Sequence, residues 1–456
     1  MSVDVAMKNE IPKQEVNHEE ESVDAELTSS KRLLRLNLDR TSRDMFWFIL
    51  FGLTYLFFLI GPMVKIHFMD KTPLSKLASY LFPSIFLRDL CIFSCVLLFY
   101  TVMTLYCISE ILVFSSLVAA GWFGITVYLK ITFNLDWTVL ITPIAIPCAY
   151  AIYCFLFRNS LNLSLKTFRC SAAVLKTNFH LVLLVAFVGL VLYVPLFLSL
   201  IACCVDIQSN KLNSVFIVGI GIFEFWYANT LKMVVDLFIS SLIYNRIYGV
   251  KNYRFEAFKT TIRGIGTCCC AGFIEGIFDC LRAMFRNWSN RTSWFSAGIM
   301  QKLLGMLLRG LLDLLMVFMD IYHKFIVGFV ALNNVSYFGG AKLVYYNISK
   351  FKAYPLSNYL MYGLLVKSLE LFSSFIAFSI ICYQIWKLDI EKLINMDVIQ
   401  IFGLVQSILS PISLLFLIKF IYNKLFSGSM AVLLLYFVDR KTCDIQFPDF
   451  ALDKEI

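Results

Sequence analysis

Charge is scarce in this chain of 456 residues: 16% are Asp, Glu, Lys or Arg, where a soluble domain carries roughly 25%. That scarcity excludes a water-soluble globular protein. Nucleotide chemistry has no foothold, because no GxxxxGK-Ser/Thr loop occurs, so ATP-driven pumping by this chain is not expected. HExxH, GxSxG and paired Cys/His arrangements are missing too, and no enzyme is expected. The 14 cysteines contain no CxxC repeat and no Cys/His spacing suited to zinc. The pair Cys203, Cys204 and the triplet Cys268 to Cys270 read mostly as small packing residues, with acylation the other reading for some. No cofactor is expected. A secretory signal is also wanting: the first 44 residues are polar and no cleavage-site pattern follows the first apolar stretch, which keeps the N-terminal tail in the cytosol.

What fills the chain instead is apolar. Hydrophobic residues make up 59% and aromatic residues 16%, and mean hydropathy is +0.75. The apolar residues come in runs of about 18 to 30, long enough to cross the ~30 Å of a bilayer's hydrocarbon as helix. Ten such runs fall near 45–64, 91–108, 111–129, 138–157, 180–204, 214–243, 263–284, 303–321, 358–384 and 399–425. The fold class expected is an all-α polytopic membrane protein with about ten transmembrane helices and both termini cytoplasmic. Arg309 and Asp313 interrupt the eighth run, which has an alternative as a helix lying flat in the interface; that would invert the parity of everything after it.

Three segments follow. Residues 1–44 form a disordered acidic tail, with eight acidic and two basic side chains in the first 30, and a basic collar of Lys31, Arg32, Arg35, Arg40 and Arg43. Residues 45–425 are the transmembrane domain, and 426–456 a cytoplasmic C-terminal tail. Formal net charge is +9, which in such a chain reports orientation before it reports any nucleic-acid partner. With ten spans the loops holding Arg158 to Lys176, Arg246 to Arg263 and Lys324 to Lys352 are cytoplasmic, as the positive-inside rule wants. Arg282, Arg286 and Arg291 sit on the external side, against the rule, although two acceptor sequons at Asn287 and Asn290 suit that side.

Ionisable side chains within spans cost roughly 2.5 to 3.5 kcal/mol each to insert, so function is sought there. In the sixth span Lys232 and Asp236 are four apart and can pair on one helix face. Glu224 lacks a partner at that offset and sits beside Phe225, Trp226 and Tyr227, the aromatic and carboxylate combination that a quaternary ammonium ligand wants. Five residues after Glu224, Asn229 adds a polar group. In the seventh span Glu275 and Asp279 repel across four residues with no base between them, which makes a protonatable or cation-binding site of Glu275, while Arg282 neutralises Asp279. Gly264, Gly266, Gly272 and Gly276 on that span permit close helix approach or local unwinding. In the ninth span Lys367 and Glu370 pair structurally. The candidate substrate-binding set is therefore Glu224, Trp226, Tyr227, Asn229, Asp236 and Glu275.

The segment from His323 to Asn347, HKFIVGFVALNNVSYFGGAKLVYYN, resembles the signature of the choline transporter-like family, a small-residue and aromatic run leading into Ser-Ala-Lys and ending in Asn. Gly340, Ala341, Lys342 and Asn347 occupy those places, with Gly340 where the family has serine. GIGTCCCAGFIEGIFDCLR resembles the family's glycine and cysteine helix ending in Arg282, and FWYANTLKMVVDLFISSLIY its preceding aromatic helix. FSGSMAVLLLYFVDRK resembles its last helix end, with Met430 and Ala431 at the usual Asp-Thr pair and Asp439 keeping the terminal acid. The layout extends over about residues 31 to 440 and is specific mainly between 215 and 347.

The resemblance implies a ten-span carrier for choline or ethanolamine, a small organic cation, not driven by sodium, in the plasma membrane with membrane lipids as its other partner. The function expected is facilitative or proton-coupled transport, with Glu224 and Trp226 near the substrate and Glu275 as proton site. The alternatives are a channel or lipid-handling protein, and a non-transporting receptor or scaffold of the same fold.

Overall fold

The computed structural model describes residues 42–68, 158–205, 211–291, 299–351, 354–359, 362–363, 420–440 and 442. Expected spans at 91–108, 111–129 and 138–157, and most of those at 358–384 and 399–425, lie outside the described residues. So do the acidic tail, Lys367 and Glu370.

Among the described residues every element is helical: α1 Met45–Phe68, α2 Arg158–Lys176, α3 Phe179–Val205, α4 Lys211–Ile247, α5 Tyr253–Arg263, α6 Ile265–Arg291, α7 Ile299–Asn333, α8 Tyr337–Phe351 and α9 Phe420–Val438. Among the described residues three helical stretches are long and apolar enough to cross a membrane, Phe179–Leu196, Gly310–Asn333 and Phe420–Val438. A fourth forms if α5 and α6, bent by 58° at their break, act together. Much of α1 and α3 is exposed and wholly apolar, including Phe46, Ile49, Leu53, Phe57, Phe187 and Val191. An outer face of that composition is stable against hydrocarbon and aggregates in water, which suits an integral membrane protein.

Helix α4 organises the bundle. It is 37 residues long, about 55 Å at helical rise, and it packs against α1, α2, α3, α5, α6 and α7. The α4–α6 contact is tight because two glycines one turn apart on α6 face α4. A Cβ on Gly272 would lie 2.6 Å from the backbone nitrogen of Thr230, and one on Gly276 3.2 Å from that of Trp226. Removing both side chains lets the backbones meet, the small-xxx-small logic of membrane helix pairs. The close approach expected of these two glycines is thus realised.

Two expected boundaries shift. The eighth span is drawn at 303–321 from its apolar run, but α7 is one continuous helix whose membrane-competent window is Gly310–Asn333. Lys324, assigned to a cytoplasmic loop, therefore lies inside it, 4% exposed. At the C-terminal end the chain stays helical to Val438, so a cytoplasmic tail starting at 426 would cut α9 in the middle. Arg158 to Lys176 form a helix and not an open loop, and the sequons at 287–292 begin within α6.

Asp44 ties the start of α1 to the bundle. Its carboxylate accepts from the Thr267 hydroxyl at 2.8 Å and from the backbone N–H of Tyr337 at 2.9 Å, capping α8 where the first helical N–H groups lack partners. Asp44 has φ 55°, and its carbonyl oxygen lies where a Cβ on Gly266 would need to be, 2.4 Å away. The end of the basic collar is thereby laid on the first turn of α6.

Candidate functional site

Six ionisable side chains from four helices meet inside the bundle in alternating sign. Lys232 of α4 donates to Glu275 of α6 at 2.5 Å and to Asp320 of α7 at 2.9 Å. Asp320 lies 3.8 Å from Lys324, one turn on. Lys324 reaches Asp236 of α4 at 3.3 Å, and Lys424 of α9 reaches the other oxygen of Asp236 at 2.6 Å. Lys324 also donates to Ser427 at 2.9 Å, and Lys424 to the carbonyl of Lys232 at 3.2 Å. A buried charge is tolerated when it is paired and its remaining hydrogen-bonding capacity is used, and the alternation provides this from Lys424 to Lys232.

The exception is at the end. Glu275 is 5% exposed, and its second carboxylate oxygen, Oε2, has no hydrogen-bond partner among the described residues. Glu275 lines a cleft of about 350 Å³ together with Asn229, Lys232, Asp279, Asp320 and the Arg282–Asp313 pair. Tyr359 and Tyr362 contribute aromatic walls. The cleft runs from Arg282 and Asp313, joined at 2.7 Å and roughly half exposed, inward to Glu275. Asp279 accepts from the Asn229 amide at 2.8 Å and makes no ion pair with a described base. Network and cleft together hold five carboxylates, Asp236, Glu275, Asp279, Asp313 and Asp320, against four bases, Lys232, Arg282, Lys324 and Lys424. With every group ionised, the cluster has a formal excess of one negative charge among the described residues.

Of the residues expected to bind substrate, Asn229 and Glu275 come together here, and Asp236 lies one layer deeper with both oxygens occupied. Glu224, Trp226 and Tyr227 do not join them. Glu224 accepts from the Tyr193 hydroxyl at 3.0 Å. Trp226 donates its indole N–H to the carbonyl of Cys269 at 2.9 Å, and Tyr227 its hydroxyl to that of Gly189 at 2.7 Å. Both rings belong to an apolar cluster with Phe51, Phe223 and Leu196, with ring centroids 5.2 Å apart between Phe51 and Trp226 and 5.7 Å between Tyr193 and Tyr227. These aromatics fill space between α1, α3, α4 and α6 and do not form a cage around Glu224.

Three further expectations change. Lys232 and Asp236 do not pair with each other, because partners on other helices approach each more closely. Arg282 pairs with Asp313 across to α7 and leaves Asp279 to Asn229. Glu275 has a base after all, Lys232, supplied from α4. Cys268 to Cys270 are at most 1% exposed, the packing role expected of them, and no acyl chain can reach them there.

Asp320, Lys324 and Lys424 are site residues that sequence reasoning missed. Asp320 and Lys424 lie at the edges of spans as drawn from hydropathy and Lys324 in a loop, and only a window moved to 310–333 places Lys324 in the membrane. Farther along, Gly340 sits on α8 against α7, where a Cβ would come 3.1 Å from Ile326 Cγ2 and 3.2 Å from its carbonyl oxygen. That crowding is a physical reason for glycine at this position.

No family model matches the chain, and no curated protein matches it either.

Proposed function

We propose that the protein is a membrane transporter for a small organic cation, choline or ethanolamine, and that the α4–α6–α7 cleft is where the cation binds. The observation that carries this is the single uncompensated negative charge of the cluster, together with the partnerless oxygen of Glu275 at the inner end of an open cleft. One monovalent cation neutralises that excess, and Coulomb attraction strengthens as the surroundings become less polar. Tyr359 and Tyr362 line the same cleft, and aromatic rings attract cations. The resemblance of residues 323–347 to the choline transporter-like signature points to the same substrates. Intramembrane carboxylates of this kind mark ion and substrate paths.

Uptake of labelled choline and ethanolamine into liposomes containing the purified protein tests the reading, with empty liposomes as control and with and without a pH gradient. Saturable uptake that Glu275→Gln reduces tenfold or more, an effect of about 1.4 kcal/mol on binding, is the expected result. A dependence on the gradient makes the transport proton-coupled, and its absence makes it facilitative. Full uptake by folded Glu275→Gln protein removes the cleft from the path, and conductance without saturation makes the protein a channel.

A further inference from the structure

We infer that Lys232 is a resident competitor for the substrate, a tethered primary ammonium that closes the cleft on Glu275 until an incoming alkylammonium takes its place there. This rests on the reading of the cleft as a cation site.

The geometry around Lys232 supports an exchange. Its ammonium lies between two carboxylates, 2.5 Å from Glu275 and 2.9 Å from Asp320, and its side chain lines the cleft at 24% exposure. Lys324 and Lys424, the other two lysines of the network, are 2% and 1% exposed and locked by Asp236. Lys232 is therefore the one lysine of the three with both a flexible four-carbon stem and room to move it. Leaving Glu275 does not strand it, because Asp320 still holds it. Glu275 would not be stranded either, since the substrate's ammonium replaces the one withdrawn.

Charge balance sets the direction. Before exchange the cluster carries one excess negative charge among the described residues; with one monovalent cation bound it carries none. The substrate thus enters by dividing the acids with Lys232, the substrate taking Glu275 and Lys232 keeping Asp320. No base has to leave the protein interior.

The same geometry selects among ammonium ions. Glu275 Oε2 is buried and partnerless, and a buried acceptor gains most from an N–H donor. A primary ammonium brings three such donors, one for each Glu275 oxygen and one to spare, as Lys232 itself does now for Oε1. A quaternary ammonium brings charge but no N–H, and leaves both oxygens unsatisfied. A protonated primary amine such as ethanolamine is therefore the favoured class over choline.

Equilibrium binding of labelled ethanolamine and labelled choline to the purified full-length chain tests this on the wild type, Lys232→Gln, Glu275→Gln and the double variant Lys232→Gln/Asp320→Asn. The double variant removes one base and one acid, so the network keeps its balance if the single Lys232 change proves too disruptive to fold. A site occupied by its own competitor nine-tenths of the time binds about tenfold more weakly than the free site. Ethanolamine affinity is accordingly expected to rise about tenfold in either Lys232 variant, with transport slowed because the returning lysine no longer expels the substrate. Wild-type protein is expected to bind ethanolamine more tightly than choline, an arm that needs no variant.

Unchanged ethanolamine affinity in a folded Lys232 variant, with binding still lost in Glu275→Gln, overturns the competitor and leaves the cleft standing. Tighter wild-type binding of choline than of ethanolamine overturns the donor selection. Undiminished binding by Glu275→Gln sinks the cleft itself, and this inference with it.

Discussion

The two halves of α4 use the same helix in opposite ways. From Phe216 to Tyr227 it presents rings to rings: Phe223, Trp226 and Tyr227 interlock with Phe51 and Tyr55 of α1, and every polar tip among them ends on a backbone carbonyl or on Glu224. From Lys232 to Asp236 it presents charge to charge, and each partner comes from another helix. The first half has what a cation cage is made of, aromatic rings beside a carboxylate, yet its geometry is that of a packed core. The second half looks like a self-sufficient ion pair, yet it joins four helices and opens onto a cleft. Composition names the ingredients; tertiary partners decide which of them stay available to a ligand.

The comparison breaks most severely at Asp236. Replacing it with Asn leaves the ammonium groups of Lys324 and Lys424 buried at 2% and 1% exposure with one carboxylate fewer between them. Removing one partner of a buried ion pair costs about 3–5 kcal/mol, a large part of the ~5–15 kcal/mol that holds a domain folded. The expected outcome is a loss of monodisperse protein or a sharp fall in thermal midpoint, measured in detergent. Adding Lys424→Gln to Asp236→Asn removes one of the stranded charges, and part of the loss is expected to return. A wild-type midpoint for Asp236→Asn alone would mean that the network is not what holds this half of α4.

The next effect lies at the seam that joins both halves to α6. Gly272→Val puts a branched side chain where a Cβ already meets Thr230 Oγ1 at 2.4 Å and its backbone nitrogen at 2.6 Å. Overpacking of this kind costs about 1–3 kcal/mol, and because it pushes α6 from α4 it also lengthens the Lys232–Glu275 contact. Gly52→Ala is the matched control: nothing lies within 4 Å of its Cβ, and Ala is favoured over Gly in a helix by about 0.5–1 kcal/mol. Thermal melts of the two variants are expected to move in opposite directions. Equal shifts would show that the seam is not close-packed.

How much of this was legible follows from where each interaction's partner lies in the chain. Helices α1, α3, α4 and α6 begin and end near the limits of their apolar runs, since continuous hydropathy and glycine spacing are local properties. Gly272 and Gly276 announced a close crossing for the same reason. What failed was pairing at a distance. Lys324 and Lys424 lie 88 and 188 residues from Asp236, so an offset of four between Lys232 and Asp236 was the strongest pairing the sequence could display. Four residues of separation permits a contact along a helix face, but a carboxylate on a neighbouring helix wins if it arrives with better geometry. The α7 window failed through the same blindness: Lys324 counts as a penalty for insertion until Asp236 is placed beside it. Glu224 shows the other direction: it lacks a base at an offset of four, yet the Tyr193 hydroxyl of α3 donates to it at 3.0 Å.

Glu224→Gln gives the smallest expected effect and the finest test of the contrast between the halves. The amide oxygen of Gln still accepts from the Tyr193 hydroxyl, so the bond at 3.0 Å survives without its charge, and a single hydrogen bond of this kind is worth only about 0.5–1.5 kcal/mol in all. Stability is expected to fall by less than that, and uptake of choline and ethanolamine to stay within about twofold of wild type, which corresponds to under half a kcal/mol of binding. The informative measurement sets this variant beside Glu275→Gln in the same liposomes. If Glu275→Gln abolishes uptake and Glu224→Gln does not, the carboxylate that matters is the one with a free oxygen and not the one with aromatic neighbours. If the order is reversed, the aromatic half of α4 is the cation site, the rings around Trp226 open during transport, and the ionic half is scaffold.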